Sequence, residues 1–185
     1  LWVLVGAAAI HGTLMIAGVP KLSWIVDLTG FAVSLYLVIA WRIDRSFEDR
    51  LLAVLHLAFA WVPVAFALSA VQTLSAFLGH TIYLGLAPTH ALAVGFFSSM
   101  LVAMATRVTL GHSGRPLQAD LGTWILFLGM MCSAALRVFA DMPLAGDYGW
   151  AFLLVAGALW VLSFGFWTVR NLPIYLTPRP DGMPG

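Results

Sequence analysis

Apolar residues dominate long stretches of the chain, and polar ones collect in short intervals between them. The stretches are Leu1–Val19, Ser23–Trp41, Leu51–Gln72, Pro88–Val108, Leu121–Ala140 and Tyr148–Val169. Each is near the roughly 20 residues a helix needs to cross a hydrocarbon core. Because a chain in lipid must satisfy its backbone internally, the pattern predicts an all-α, polytopic transmembrane bundle of about six spans. Thr73–Ala87 is apolar too, but Gly79 and Gly85 interrupt it, so it reads as an interfacial or partly buried connection. The division predicted is a membrane bundle over 1–170 and a proline-rich tail over 171–185.

Composition strengthens this picture. Of the 185 residues, 62% are hydrophobic and 9% charged, where a soluble domain has about a quarter charged. A net charge of +1 lacks the basic face that nucleic acid requires, so membrane lipid is the expected surrounding and no nucleic acid the expected partner. A single cysteine, Cys132, excludes an intrachain disulfide framework. The opening segment has neither a basic region nor a small-residue cleavage site. It reads as the interior of a longer chain, whose other half is then an expected partner.

Basic residues set the orientation. Arg42, Arg45, Arg50, Arg107, Arg115, Arg170 and Arg179 fall at one end of the spans, Lys21 and Arg137 at the other. The first end is therefore expected in the cytoplasm, with both termini. Trp24, Trp41, Trp124, Tyr148, Trp150 and Trp167 fall near span ends, where amphipathic rings prefer to sit. In the fourth span Gly95, Ser99 and Ala103 form a small-residue stripe, read as helix packing.

The chemistry rests on five histidines: His11, His56, His80, His90 and His112. An imidazole in hydrocarbon needs a partner, and neutral imidazole is the commonest metal ligand. At about 1.5 Å per residue, His56 and His90 differ in depth by roughly 20 Å. They should not bind one ion. Two neighbourhoods follow: His56 and His112 with Met100, Met104, Arg107 and Arg115 at the arginine-rich end, and His90 and His80 with Arg137 and Asp27 at the other, His11 lying nearer mid-membrane. Asp27 and Arg137 are expected to pair. Met130, Met131 and Cys132 are adjacent soft donors, but neighbouring helical residues point apart. In Leu110–Pro116, Gly111, Gly114 and Pro116 are expected to display His112 and Arg115 on a turn.

The run HALAVGFFSSMLVAMATRVTLGHSGRPL, His90 to Leu117, resembles the signature of the NnrS family, in which a histidine-headed span leads to a TRVTLGH-[ST]-GRPL turn. LLAVLHLAFAW resembles that family's LH-x-x-x-AW span, and PRPDGMPG its ending. The likeness covers roughly 32–185; the family's WHAHEM-like motif and GFLLTA run are missing, which suits a C-terminal half. The resemblance implies a bacterial inner-membrane protein carrying haem b and copper, tied to nitric oxide tolerance and denitrification. It makes His56, His90 and His112 the ligand candidates, with Arg107 and Arg115 as polar neighbours; His80 and His11 rank below. Binding, sensing or detoxifying nitric oxide fits that cofactor set, with or without redox turnover. Export of a metal or metal–nitrosyl species is the alternative, which unwound spans would favour.

Overall fold

The computed structural model describes residues 1–178. Helix α1 spans Trp2–Ile16, α2 Trp24–Ala40, α3 Ile43–Ser46, α4 Arg50–Phe59, α5 Trp61–Phe77 and α6 Ala87–His90. A π-helical stretch, Ala91–Ser98, leads from α6 into α7, Ser99–His112. Then come α8, Leu121–Ala140, and α9, Gly149–Leu176. Among the described residues there is no strand, and the chain is an all-α bundle. Four helical segments are long and apolar enough to cross a membrane: Arg50–Phe77, Ala87–His112, Leu121–Ala140 and Pro143–Leu176, the last kinked at Gly146. The first two of the six expected spans form shorter apolar helices, α1 and α2.

Local chemistry sets the boundaries. Asp49 and Asp120 are N-caps: their carboxylates accept from the amides of Leu51, at 2.8 Å, and Thr123, at 2.9 Å. Gly79 ends α5 in the left-handed region, φ 80°, where a side chain would be strained. Beyond it, Gln72 Oε1 accepts from the Leu84 amide at 3.1 Å, so α5 itself holds the connecting segment down. The expected interruption is therefore present, though α5 runs five residues past Gln72 before it begins.

Two further boundaries differ from expectation. Helix α7 persists through Gly111 to His112, and only Gly114, φ 68°, turns the chain. His112 is thus the last helical residue rather than the display point of a loop. Helix α9 continues past residue 170, through Pro173, to Leu176. Proline removes one helical donor, the one that would bond the Val169 carbonyl, yet the helix runs on for three residues past it. Asn171 Nδ2 donates to the Trp167 carbonyl at 2.8 Å, and Thr177 Oγ1 to that of Pro173 at 2.8 Å. The rest of the expected tail, with Arg179 and nearly all of the PRPDGMPG motif, lies outside the described residues.

The α4–α5 pair is the centre of the bundle. Leu51, Val54 and Ala58 pack with Ala103 and Phe127; Phe59, Val62 and Phe66 pack with Leu4 and Ala7; Ala65 packs with Ala87, Ala91 and Val138. The Gly95–Ser99–Ala103 stripe faces this centre, with Ser99 and Ala103 buried. A Cβ on Gly95 would lie 2.4 Å from the Trp61 indole, so the glycine makes room for that ring. The outer faces carry exposed Leu, Val, Phe and Trp, such as Trp150, Leu154, Leu162 and Val169 on α9, the surface lipid covers.

Candidate functional site

The up-and-down connectivity places the end of α1, the start of α2, the end of α5, the start of α6 and the end of α8 together. Two carboxylate–imidazole pairs form at this end. His90 is the last residue of α6, and its Nδ1 lies 2.6 Å from Asp141 Oδ2. Asp141 is the C-cap of α8, and its other oxygen accepts from Arg137 Nη1, one turn earlier, at 2.7 Å. The carboxylate is thus held on both oxygens, and it orients the ring so that Nε2 remains for another partner. All three side chains are about a fifth exposed.

The second pair is His11 and Asp27, with Nδ1 2.7 Å from Oδ1. Asp27 is fully buried in the first turn of α2. Its Oδ2 accepts from Ser23 Oγ at 3.2 Å and from Thr73 Oγ1 at 2.8 Å. A carboxylate has about four lone-pair sites, so these three donors account for most of its capacity. A cavity of about 240 Å³ adjoins the pair, lined by His11, Thr73, Gln72, Ser69 and the Gly85–Leu92 region. The expected Asp27–Arg137 pairing does not occur. Each has a nearer partner within its own corner of the bundle, His11 for Asp27 and Asp141 for Arg137.

His56 lies towards the other end. Its Nδ1 is 3.0 Å from the Leu52 carbonyl one turn back, the donation that leaves Nε2 as the ring's free lone pair. The ring lines an apolar groove of about 320 Å³ with Trp41, Leu55, Phe59, Phe96 and Met100. Two expected members are absent from that groove: Met104 is exposed, and His112 is exposed at the end of α7. Arg107 is exposed as well, as is His80 beyond Gly79, so His80 joins neither carboxylate pair. His56 and His90 occupy separate sites, as their depths required.

Arg115 has a different setting. With Arg50 and Arg170 it lines a cavity of about 660 Å³ between α4, α7, α8 and α9. Arg170 bonds Asp120, whose carboxyl the Thr123 amide holds below the usual carboxylate range, the Arg170 charge adding to the effect.

A family model described as NnrS protein matches residues 1–179. The chain belongs to the NnrS family. No curated protein and no solved structure matches it. The NnrS match extends to the N-terminal side of the signature runs quoted above, so it takes in His11 and Asp27 as well. Membership makes this a membrane protein of the nitric oxide response.

NnrS membership also brings haem and copper into question, and the donor set answers differently for the two. A single imidazole with Nδ1 engaged and Nε2 free suits haem iron, and His56 in its aromatic groove has that form. A copper site closed by protein ligands does not fit: among the described residues no three His, Cys, Asp or Glu side chains group together. The soft donors also diverge. Met130 is buried in the core, Met131 Sδ accepts from Trp61 Nε1 at 3.3 Å, and Cys132 is exposed.

Sequence reasoning missed Asp141, Thr73 and Ser23. The Arg137–Asp141 spacing of four at a helix end was the available signal for the first. Thr73 and Ser23 come from the tertiary packing of α2 on α5, which no local pattern encodes.

Proposed function

We propose that the chain is a haem-bearing inner-membrane protein that binds nitric oxide, with His56 as the imidazole that would hold the haem. The observation that carries this is the groove: aromatic and aliphatic walls around a single imidazole whose Nδ1 is already bonded to the Leu52 carbonyl. That bond fixes the ring plane and presents Nε2 to the groove. Haem held there would supply an iron able to bind a small diatomic ligand. Trp41 and Leu52 at the groove are exposed, so an uncharged gas dissolved in lipid enters without crossing a polar barrier. The arginine-rich end faces the cytoplasm in this reading.

Export of a metal species finds less support. Unwound segments at mid-membrane are its usual mark. The α4–α5 junction at Ala60 keeps helical dihedrals, and its amide still bonds the His56 carbonyl at 2.9 Å.

The test is the haem absorption spectrum of purified full-length protein and its single variants. His56→Ala should lose most of the Soret band, while His90→Ala and His112→Ala keep it. A full Soret band in His56→Ala, or colourless wild-type protein, defeats the reading.

A further inference from the structure

The arginine-rich end holds a cavity that the haem reading leaves unused. Arg50 enters it from the first turn of α4, Arg115 from the loop after α7, and Arg170 from α9. Asp120 is the single acid on its wall and it is bonded to Arg170. Two guanidinium charges therefore stand without a counter-charge among the described residues. Arg115 Nη1 is buried and, among the described residues, has no hydrogen-bond partner. A buried guanidinium nitrogen left unbonded is costly, since it gives up water and gains nothing. Arg170 can lie across the start of α8 because residue 122 is glycine: a Cβ there would sit 2.5 Å from Arg170 Nη1.

From this arrangement we infer that the cavity binds a phosphate group, with Arg115 as its principal donor and Arg50 and Arg170 beside it. Three guanidiniums arriving from three elements suit a tetrahedral anion, whose several oxygens accept bonds from different directions. A planar carboxylate is satisfied by one fork. The cavity lies at the arginine-rich end of the bundle, the end that the basic residues assign to the cytoplasmic headgroups, and Leu110 and Ile174 on its wall supply apolar surface beside the charge. The group can come from an anionic phospholipid or from a soluble phosphate.

The experiment uses purified full-length protein in nanodiscs of phosphatidylcholine alone, in nanodiscs containing phosphatidylglycerol, and in detergent with inorganic phosphate. Thermal unfolding and native mass spectrometry give the readouts. Phosphatidylglycerol should raise the wild-type midpoint by several degrees and remain bound in the gas phase, and Arg115→Gln should weaken the apparent affinity by roughly tenfold or more. Arg50→Gln, at an exposed position, provides a second variant should Arg115→Gln fold poorly, and it should weaken binding in the same direction. A response to inorganic phosphate alone, sensitive to the same substitutions, supports the site with a soluble source. Equal behaviour of wild type and both variants in every arm overturns it. So does a response that is absent from the wild type and appears only in His56→Ala, which would assign the guanidiniums to a cofactor's carboxylates. A response retained in His56→Ala keeps this site separate from the haem reading.

Discussion

Asp27 concentrates more of the bundle's polar bonding than any other side chain near it. A hydroxyl has one hydrogen to give, and Thr73 Oγ1 has two acceptors in reach, Asp27 Oδ2 at 2.8 Å and the Ser69 carbonyl at 2.9 Å. Ser23 has the same choice between Asp27 Oδ2 at 3.2 Å and the Pro20 carbonyl at 2.8 Å. Both hydroxyls can fall back on backbone if the carboxylate is removed. His11 cannot, since Asp27 is its hydrogen-bond partner among the described residues. Asp27→Ala should therefore cost about 2 kcal/mol, less than three stranded groups would suggest. Asp27→Asn, which keeps one acceptor oxygen, should cost under half of that. Chemical unfolding in detergent measures both; equal losses would show that shape rather than bonding is what the position provides.

At the level of elements, hydropathy revealed where helices lie and fell short on how they are wound. The apolar runs gave the spans, and Gly79 and Gly85, both left-handed at φ 80° and 56°, gave the interruption between α5 and α6. Nothing in HALAVGFFS announces a π-helix over Ala91–Ser98: it is an uncharged apolar run, more apolar than the α-helical segment after it, and apolarity does not distinguish one helical winding from another. What singles it out is tertiary: Trp61 from α5 packs against Gly95, and its Nε1–H reaches Met131 on α8. Such windings concentrate at working sites, and this one begins at the residue after His90. Gly95→Ala forces the indole to move and should cost about 2 kcal/mol. Because that cost is a clash with one ring, Gly95→Ala combined with Trp61→Leu should lose less than the sum of the two single changes. Strict additivity in a double-mutant cycle would remove Trp61 as the cause.

Over the whole molecule, the two ends have opposite chemistry, and they were unequally legible. The arginine-rich end was visible because basic residues recur after every second span. What escaped notice is that Arg50, Arg115 and Arg170, which lie 55 or more positions apart, share one cavity. The other end was half visible. Its histidines stand out in an apolar sequence, but their carboxylates come from other helices, so Asp27 was assigned the wrong partner and Asp141 was passed over. The His56 groove was read in part, with Met100 rightly beside it and Met104 not, because depth along a helix is linear in sequence while direction around it depends on neighbours.

One consequence follows from the length of α2. Its 17 residues, bounded by the Pro20–Leu22 turn and by the left-handed Arg42, rise only about 25 Å, against about 30 Å of hydrocarbon. A bilayer crossed by α2 as the fifth span or beyond must thin beside it, which draws the aqueous boundary towards the first turn of α2, where Asp27 lies. The protein should therefore be more heat-resistant in bilayers of short acyl chains than in long ones. A midpoint independent of chain length would mean that the annulus does not feel α2 at all.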